Sequence, residues 1–345
     1  ALRKNLVCLL HEKPFDGVNG SGKHNNWSLN IYNGPSLLDP GKTPADNAQF
    51  LLFLCAVIWA VDEYSELLRT SVACPGNDHR LGGHEAPPPI ISIFLGDALT
   101  DILEEVETGR PSQFRQGGNI EIGVTTIPWL PQDTSDRNRT SPFAFTGKKF
   151  EFRMLGSSMS IAGCNYALNT AVAEILSRIA DRLEKAEDKS ACVRELVREI
   201  YREHKRVVFN GNNYSKEWAE EAKERGLPCA TNDVDAARGL VVSKSVELFE
   251  KHGIFRRKEA EARYEIRLDN YIKTISLEAN TMLDMTRRQI VPAVIKYTKF
   301  LADSVNAIKE TGLTVDMTME SSALKDISAA GAQMKAAVSK LEKAL

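Results

Sequence analysis

Polar and apolar residues alternate along two short segments in the first half of the chain, which predicts two β-strands. The first strand is predicted over 24–31, directly after a glycine-rich turn at 19–22. One face of this strand carries His24, Asn26, Ser28 and Asn30. Because glycines let a ligand approach the backbone, we interpret this face as a ligand platform. The alternative is a sheet with one solvated face.

The second alternating segment covers 148–154 and has a charged face and an apolar face. The charged face carries Lys149, Glu151 and Arg153, so that one carboxylate lies between two cations. The other face carries Phe150, Phe152 and Met154, as expected for packing on a core. Taken alone, this pattern is more typical of an ordinary surface strand than of a site.

Elsewhere the spacing of apolar residues is mainly helical, and it predicts a helix over 44–70 and another from Ser160 onward. Beyond about residue 190 the chain is predicted to be mostly helical, over 191–206, 215–226, 243–252, 258–311 with a break at Pro292, and 322–345. The remaining predictions are strand, turn and strand over 5–35, a loop followed by a strand over 74–95, and a mobile proline- and glycine-rich stretch over 108–142 with a short strand at 120–124.

Composition is that of a globular chain with no marked charge. A length of 345 residues indicates about two domains, and 43% hydrophobic residues suffice for a real core. A net charge of −2 gives no whole-chain signature of binding to nucleic acid or to an anionic membrane. The apolar run 50–61 is too short to span a bilayer and predicts a buried helix. Six cysteines without metal-site spacing indicate reduced thiols in a cytoplasmic protein.

Four segments, in order, together resemble the glutamine synthetase family, and specifically its long type III branch. They are KPFDGVNGSGKHNNWSL at 13–29, HRLGGHEAP at 79–87, RNR at 137–139 and KFEFR at 149–153. The resemblance implies an α+β chain in which an antiparallel active-site sheet is flanked by helices and followed by a mostly helical domain. It implies that residues 1–190 form the C-terminal part of the catalytic domain and that 191–345 form the helical region of type III enzymes.

The resemblance also implies that the chain is a fragment. The family carries an N-terminal domain and several metal-binding glutamates ahead of the glycine-rich segment, and here that segment begins at residue 19. The helical pattern at the C-terminus stops without a cap. We therefore expect the 345-residue chain alone to form no measurable glutamine.

The activity implied by the resemblance is ATP-dependent ligation of ammonia to L-glutamate through γ-glutamyl phosphate. Such phosphoryl transfer depends on positioning and on charge neutralisation by divalent cations and cationic side chains. By match to the family, His24 and Glu151 would bind Mg²⁺ or Mn²⁺. ATP would be bound by Asn26, Ser28, Arg139 and Lys149, and glutamate by Asn19, Gly20, Arg80 and Arg153. Glu85, on a glycine-containing lid, would take a proton from ammonium; Glu85, Arg80 and Arg139 form the expected catalytic group.

Two positions depart from the pattern of the shorter family classes. Asn26 stands where those classes often have histidine. Lys149 stands where they have arginine, and a lysine keeps the positive charge but lacks the planar guanidinium. The family assembles as stacked rings, which implies a homo-oligomer. Two alternatives remain: a non-catalytic relative that uses its helices for interaction, and a phosphoryl-transfer enzyme acting on another carboxylate or amine.

Overall fold

The structure is a computed structural model that describes residues 1–9, 11–83, 86–109, 119–120, 130–131 and 140–345. It is a mixed α+β structure that divides into two compact units, Ala1–Leu268 and Asp269–Leu345. The strands are β1 (Asn25–Trp27), β2 (Ile93–Phe94), β3 (Asn119–Ile120), β4 (Leu130–Pro131), β5 (Phe143–Phe145) and β6 (Phe150–Phe152).

The helices of the first unit are α1 (Ala48–Glu63), α2 (Ser65–Ser71), α3 (Pro75–Arg80), α4 (Asp97–Thr108), α5 (Ala162–Lys185), α6 (Lys189–His204), α7 (Lys216–Glu224), α8 (Asp233–Ala237) and α9 (Ser243–Lys251). They are followed by α10 (Arg257–Met285), α11 (Val291–Glu310) and α12 (Thr318–Ala344). No helix in the described ranges is both long and apolar enough to cross a membrane. All six cysteines have free thiols.

The central sheet has four strands in the order β1-β6-β5-β2. The β1–β6 and β6–β5 pairs are antiparallel, but β2 and β5 are parallel, with Ile93 opposite Phe143. The expectation of an antiparallel sheet is therefore only partly met. The physical reason is the long connection between β2 and β5, which contains α4, because a parallel pair needs a crossover rather than a tight turn. A separate antiparallel pair joins β3 to β4.

The core lies between the sheet and the helices. The apolar run at 50–61 is buried within α1, as predicted, and α1 packs against α5 and α6. On the sheet side, the rings of Phe143 and Phe150 stack with centroids 4.7 Å apart, and Phe145 meets Phe150 edge-on at 5.1 Å. Aromatic pairs of this kind stabilise the sheet beyond the area that they bury. The aromatic side chains thus pack on the inner face of the sheet, and the outer face of β1 and β6 carries the polar side chains of Asn26 and Glu151.

Three local predictions are wrong, each for a reason of backbone chemistry. The strand expected before the glycine-rich turn is not formed by the described residues 5–9 and 11–18, because Pro14 lacks an N–H and Gly17 adopts a φ of 72°. The loop expected from residue 74 contains α3, whose first residue is Pro75. The helix expected to break at Pro292 instead passes through a π-helical turn at 286–290 and continues as α11. Most of the stretch predicted to be mobile, 108–142, lies outside the described residues.

Candidate active site

The outer face of β1 and β6 brings His24 and Glu151 together. Asn26 lies opposite Glu151 in the antiparallel register, and the flanking residues Asn25 and Trp27 point inward. His24 precedes β1 on the same face, and its Nδ1 lies 2.9 Å from Glu151 Oε1. The His24 side chain is 44% exposed and that of Glu151 17% exposed, so the pair is open to solvent on the histidine side.

The second oxygen of Glu151 is held by Arg153. Arg153 donates from Nε at 3.0 Å and from Nη2 at 2.8 Å to Glu151 Oε2, so two charge-assisted hydrogen bonds meet at one carboxylate oxygen. Partial burial alone would raise the pKa of Glu151, but the hydrogen bonds and charge of Arg153, with a smaller contribution from His24, outweigh it and hold the pKa below its usual value. Glu151 is therefore an ionised carboxylate at neutral pH.

Two amides on α5 fix β1 from its inner side. Asn25 Nδ2 donates to Asn165 Oδ1 at 2.8 Å, and Trp27 Nε1 donates to Asn169 Oδ1 at 2.7 Å. Asn165 and Asn169 are four residues apart and so lie on one face of the helix. These two bonds satisfy inward polar groups and set the position of β1, and with it the position of His24.

Residues 19–22, called here the glycine turn, lie directly against Arg80. Gly22 forms a bridge with Gly156, and Lys23 N donates to Leu155 O at 2.9 Å, so the turn is joined to the end of β6. A β-carbon at Gly20 would lie 2.7 Å from Arg80 Cγ, and one at Gly22 would overlap the Arg80 guanidinium. Both glycines are needed because the arginine side chain occupies the space that a side chain of the turn would take.

The guanidinium of Arg80 is buried and contacts mainly backbone. Its Nη1 donates to Asn77 Oδ1 at 3.1 Å and to Met154 O at 2.9 Å, and its Nη2 donates to Arg153 O at 3.1 Å. Burial lowers the pKa of Arg80, although nearby negative groups oppose this. The role of Arg80 in holding a substrate carboxylate stays a prediction. Its observed contacts join α3 to the end of β6.

The other predicted site residues are placed as follows. Asn26 and Lys149 are exposed on the outer face of β1 and β6, Ser28 Oγ donates to Lys148 O at 2.9 Å, and Asn19 is exposed while Gly20 is half-buried. Glu85 and Arg139 lie outside the described residues. Among the described residues on either side of position 85, Gly82 N donates to Pro87 O at 3.0 Å. The greater mobility expected for 79–88 stays a prediction.

Sequence reasoning missed Glu12, a buried acid beside the glycine turn. Its Oε1 accepts hydrogen bonds from Ser158 N at 3.0 Å and from Ser158 Oγ. Burial raises the pKa of Glu12, but these bonds outweigh it and the net effect is a lowered pKa. The one available signal was position, since Glu12 directly precedes the Lys13-Pro14 pair of the first motif.

Within the described residues, no group of three or more histidine, cysteine, aspartate or glutamate side chains could hold a metal ion. His24 and Glu151 supply one nitrogen and one oxygen donor side by side. An imidazole and an ionised carboxylate are suitable ligands for Mn²⁺, and the carboxylate also suits Mg²⁺. The donor chemistry therefore fits a divalent cation with further ligands from other groups.

Comparison with known proteins gives the family. The family described as glutamine synthetase C-terminal domain matches residues 192–309. A protein of Dictyostelium discoideum named type-3 glutamine synthetase is 46% identical over 309 residues, which are 89% of this chain and 42% of that protein. The chain belongs to the glutamine synthetase family.

Two bacterial relatives named glutamine synthetase agree with this assignment. The protein of Butyrivibrio fibrisolvens is 44% identical over 351 residues, covering 98% of this chain and 48% of that protein. The protein of Bacteroides fragilis (strain YCH46) is 38% identical over 317 residues, covering 90% of this chain and 44% of that protein. The chain thus spans about half the length of the curated glutamine synthetases that it matches. The similarity to these relatives therefore extends well beyond the four motifs and covers most of the chain.

Proposed function

We propose that the protein forms L-glutamine from L-glutamate and ammonia, with ATP converted to ADP and phosphate through γ-glutamyl phosphate. The observation that carries the proposal is the His24–Glu151 pair, which lies at the start of a strand that follows the glycine turn in a member of the glutamine synthetase family. An ionised carboxylate and an imidazole at this point are suitable ligands for a divalent cation that also contacts the nucleotide phosphates.

Mg²⁺ or Mn²⁺, when bound by His24 and Glu151, would neutralise charge on the nucleotide phosphates. Arg153 holds Glu151 in place through two hydrogen bonds to Oε2 and keeps it ionised, so it supports the cation site as well as the glutamate site proposed for it. Lys149 and Asn26 are exposed on the same face, where they could reach a nucleotide, and Ser28 and Arg139 complete the proposed ATP-binding group.

Glutamate is proposed to bind at the glycine turn. Asn19 and Gly20 supply polar backbone and side-chain groups there, and Arg80 lies directly behind the turn. Glu85 is proposed to accept a proton from ammonium, so that ammonia can displace phosphate from the acyl phosphate. Product formation then needs only correct placement of the two reactants and neutralisation of the leaving phosphate.

At the level of the whole protein, we propose that 1–190 belong to the catalytic domain, that 191–345 are the helical region, and that the protein forms a ring-shaped homo-oligomer. A reducing, cytoplasmic setting is supported by the six free thiols, two of which, Cys55 and Cys164, are buried in the core. Many apolar side chains are exposed on the second unit, which is consistent with contacts between subunits.

The test is an assay of glutamine and phosphate formation from glutamate, ammonium and ATP with Mg²⁺ or Mn²⁺. It uses the longest gene product that contains this chain, with its intact mass measured, because the chain spans about half of its relatives. We expect turnover that requires all three substrates and falls at least about 100-fold in Glu151→Gln. Glu217→Gln, an exposed acid on α7, is the matched control and should leave turnover unchanged. Absence of glutamine would favour a non-catalytic relative, whereas equal turnover in the parent and in Glu151→Gln would remove Glu151 from the proposed cation site.

A further inference from the structure

Glu12 is a buried carboxylate to which neither the four motifs nor the proposed roles give a function. It is 6% exposed and lies where three segments of the first unit meet: the glycine turn, the start of α3 and the residues after β6. We propose that Glu12 is a positioning residue for glutamate, which fixes the glycine turn against Arg80. The inference rests on the proposed function, since it concerns the same glutamate site.

The side chain of Glu12 holds the segment that follows β6. Oε1 accepts from the backbone N–H of Ser158 at 3.0 Å and from its hydroxyl. The same segment pairs with the glycine turn, because Ser157 N donates to Ser21 O at 3.2 Å and Gly22 bridges to Gly156. A shift of the Glu12 carboxylate would therefore move residues 156–158, which pair with the glycine turn.

The backbone of Glu12 holds the glycine turn directly. Ser21 N donates to Glu12 O at 2.7 Å, and a β-carbon at Gly20 would lie 2.9 Å from the same oxygen. The turn is thus confined between the Glu12 carbonyl and the side chain of Arg80. Since Gly20 and Asn19 are the groups proposed to contact glutamate, their position depends on Glu12.

Two further glycines provide the space that the Glu12 side chain occupies. A β-carbon at Gly76, in α3, would lie 2.5 Å from Glu12 Oε2, and one at Gly156 would lie 2.7 Å from Glu12 Cγ. Gly76 is followed directly by Asn77, which accepts a hydrogen bond from Arg80. The carboxylate therefore fits between the helix that carries Arg80 and the segment that carries Ser158, and both segments are built around it.

Charge gives a second reason for an acid at this position. Arg80 is buried, and the Glu12 carboxylate is a negative charge near it. A buried guanidinium without nearby negative charge is costly. A glutamine at position 12 would keep the size of the side chain and an acceptor for Ser158, but it would remove the charge. We then expect the glycine turn and Arg80 to shift relative to each other, while the outer face of β1 and β6, where the nucleotide is proposed to bind, stays unchanged.

The experiment compares Glu12→Gln with Glu174→Gln in the protein in which glutamine formation is assayed. Both are buried acids, 6% and 4% exposed, but Glu174 lies on α5 and pairs with Lys251 and His252, away from the glycine turn. We expect Glu12→Gln to raise the KM for glutamate about 10-fold or more and to change the KM for ATP less than about 2-fold. Glu174→Gln should lower the thermal midpoint and leave both KM values unchanged.

A milder variant guards against misfolding of Glu12→Gln. Ser158→Ala removes the hydroxyl bond to Glu12 but keeps the backbone bond, so it should raise the KM for glutamate by a smaller factor in the same direction. Equal rises in the KM values for glutamate and ATP, or no rise in either variant, would overturn the positioning role.

Hydrogen exchange separates this inference from the proposed function. If the parent protein forms no glutamine, the proposed function fails, and the amides of 20–23 and 157–158 still report on the turn. We expect these amides to exchange at least about 10-fold faster in Glu12→Gln than in the parent, and to be unchanged in Glu174→Gln. Unchanged exchange at 20–23 in Glu12→Gln would overturn the positioning role whatever the activity.

Discussion

Each oxygen of the Glu151 carboxylate has a different partner: Oε1 faces the His24 imidazole and Oε2 faces the Arg153 guanidinium. The guanidinium is rigid and buried, whereas the imidazole is partly exposed and can turn. A cation that bound here would therefore compete with the His24 contact and leave the Arg153 contact in place. Arg153 is thus suited to orient the carboxylate in both states.

The first prediction concerns binding of Mn²⁺ to the His24–Glu151 pair. His24→Ala and Glu151→Gln should each weaken binding at least about 10-fold, because each removes one of two adjacent donors. Titration followed by electron paramagnetic resonance measures the free ion directly. Asn26→Ala, a change on the same exposed face, is the control and should bind Mn²⁺ as the parent does. Equal affinity in all three variants would remove the pair from the cation site.

At the scale of single residues, part of the site could be predicted from the sequence. Period-two alternation is a local property, so it correctly put His24 on the outer face of β1 and Glu151 on the outer face of β6. The burial of Arg80 and the slot for Glu12 were not predictable, because both depend on glycines from distant segments that leave space for a side chain. Neither contact has a periodic signal in the sequence.

Among the helices, the docking of α9 on α5 depends on one carboxylate. Glu174 accepts from Lys251 at 2.9 Å, from His252 at 2.8 Å and from Arg178 at 2.8 Å. Burial raises the pKa of Glu174, but these three hydrogen bonds outweigh it and lower the pKa to about 2. The cluster joins α5 to the C-terminal end of α9, beside the edge-on contact of Tyr166 with Phe249.

The second prediction is an acid-dependent loss of stability that is traceable to Glu174. Its folded pKa of about 2 lies below the usual 4.5, so its stabilisation is complete above pH 4.5 and is lost as the pH falls toward 2. Glu174→Gln should lower the free energy of unfolding at pH 7 by roughly 1.5–3 kcal/mol. It should also flatten the dependence on pH between about 4.5 and 2. Denaturant unfolding at several pH values measures both effects, and an unchanged pH slope would contradict the assignment.

The helices were the most predictable elements, because helical spacing of apolar residues is sustained over many turns. Of the five residues of α5 whose spacing predicts one apolar face, Ala167, Ala171, Ile175 and Ile179 are buried and Leu183 is half-buried. The parallel β2–β5 pair was not predictable, because the choice of neighbour in a sheet depends on the path of the whole connection. The continuation through Pro292 likewise depended on a wider π-helical turn that accommodates the ring.

At the scale of the molecule, the two units differ in how much they bury. In the first unit α1 alone buries eleven residues from Phe50 to Asp62, whereas α11 buries only Leu301 and Val305 and α12 buries none. The predicted boundary near residue 190, between the catalytic part and the helical region, stays a prediction. The boundary between the compact units follows residue 268.

The third prediction follows from that difference in burial. Backbone amides of α11 and α12 should exchange with solvent at least about 10-fold faster than those of α1 and α5, because local opening costs less where few apolar side chains are buried. Hydrogen exchange followed by mass spectrometry resolves these segments. Helix α7, which buries Trp218 and Ala222, should exchange at an intermediate rate. Equal protection in α12 and α1 would contradict the prediction.

Strands β1 and β6 are neighbours in the sheet although they are far apart in the sequence. Within the described part of the chain β1 pairs with β6 alone, and His24 and Glu151 are 127 positions apart. At about 5–20 residues per second, β1 leaves the ribosome roughly 6–25 s before its partner is made. During that interval β1 lacks β6, its partner among the described strands. Asn26 and the preceding glycines have low β-propensity, so residues of the proposed site also disfavour pairing of β1 with another chain during that interval.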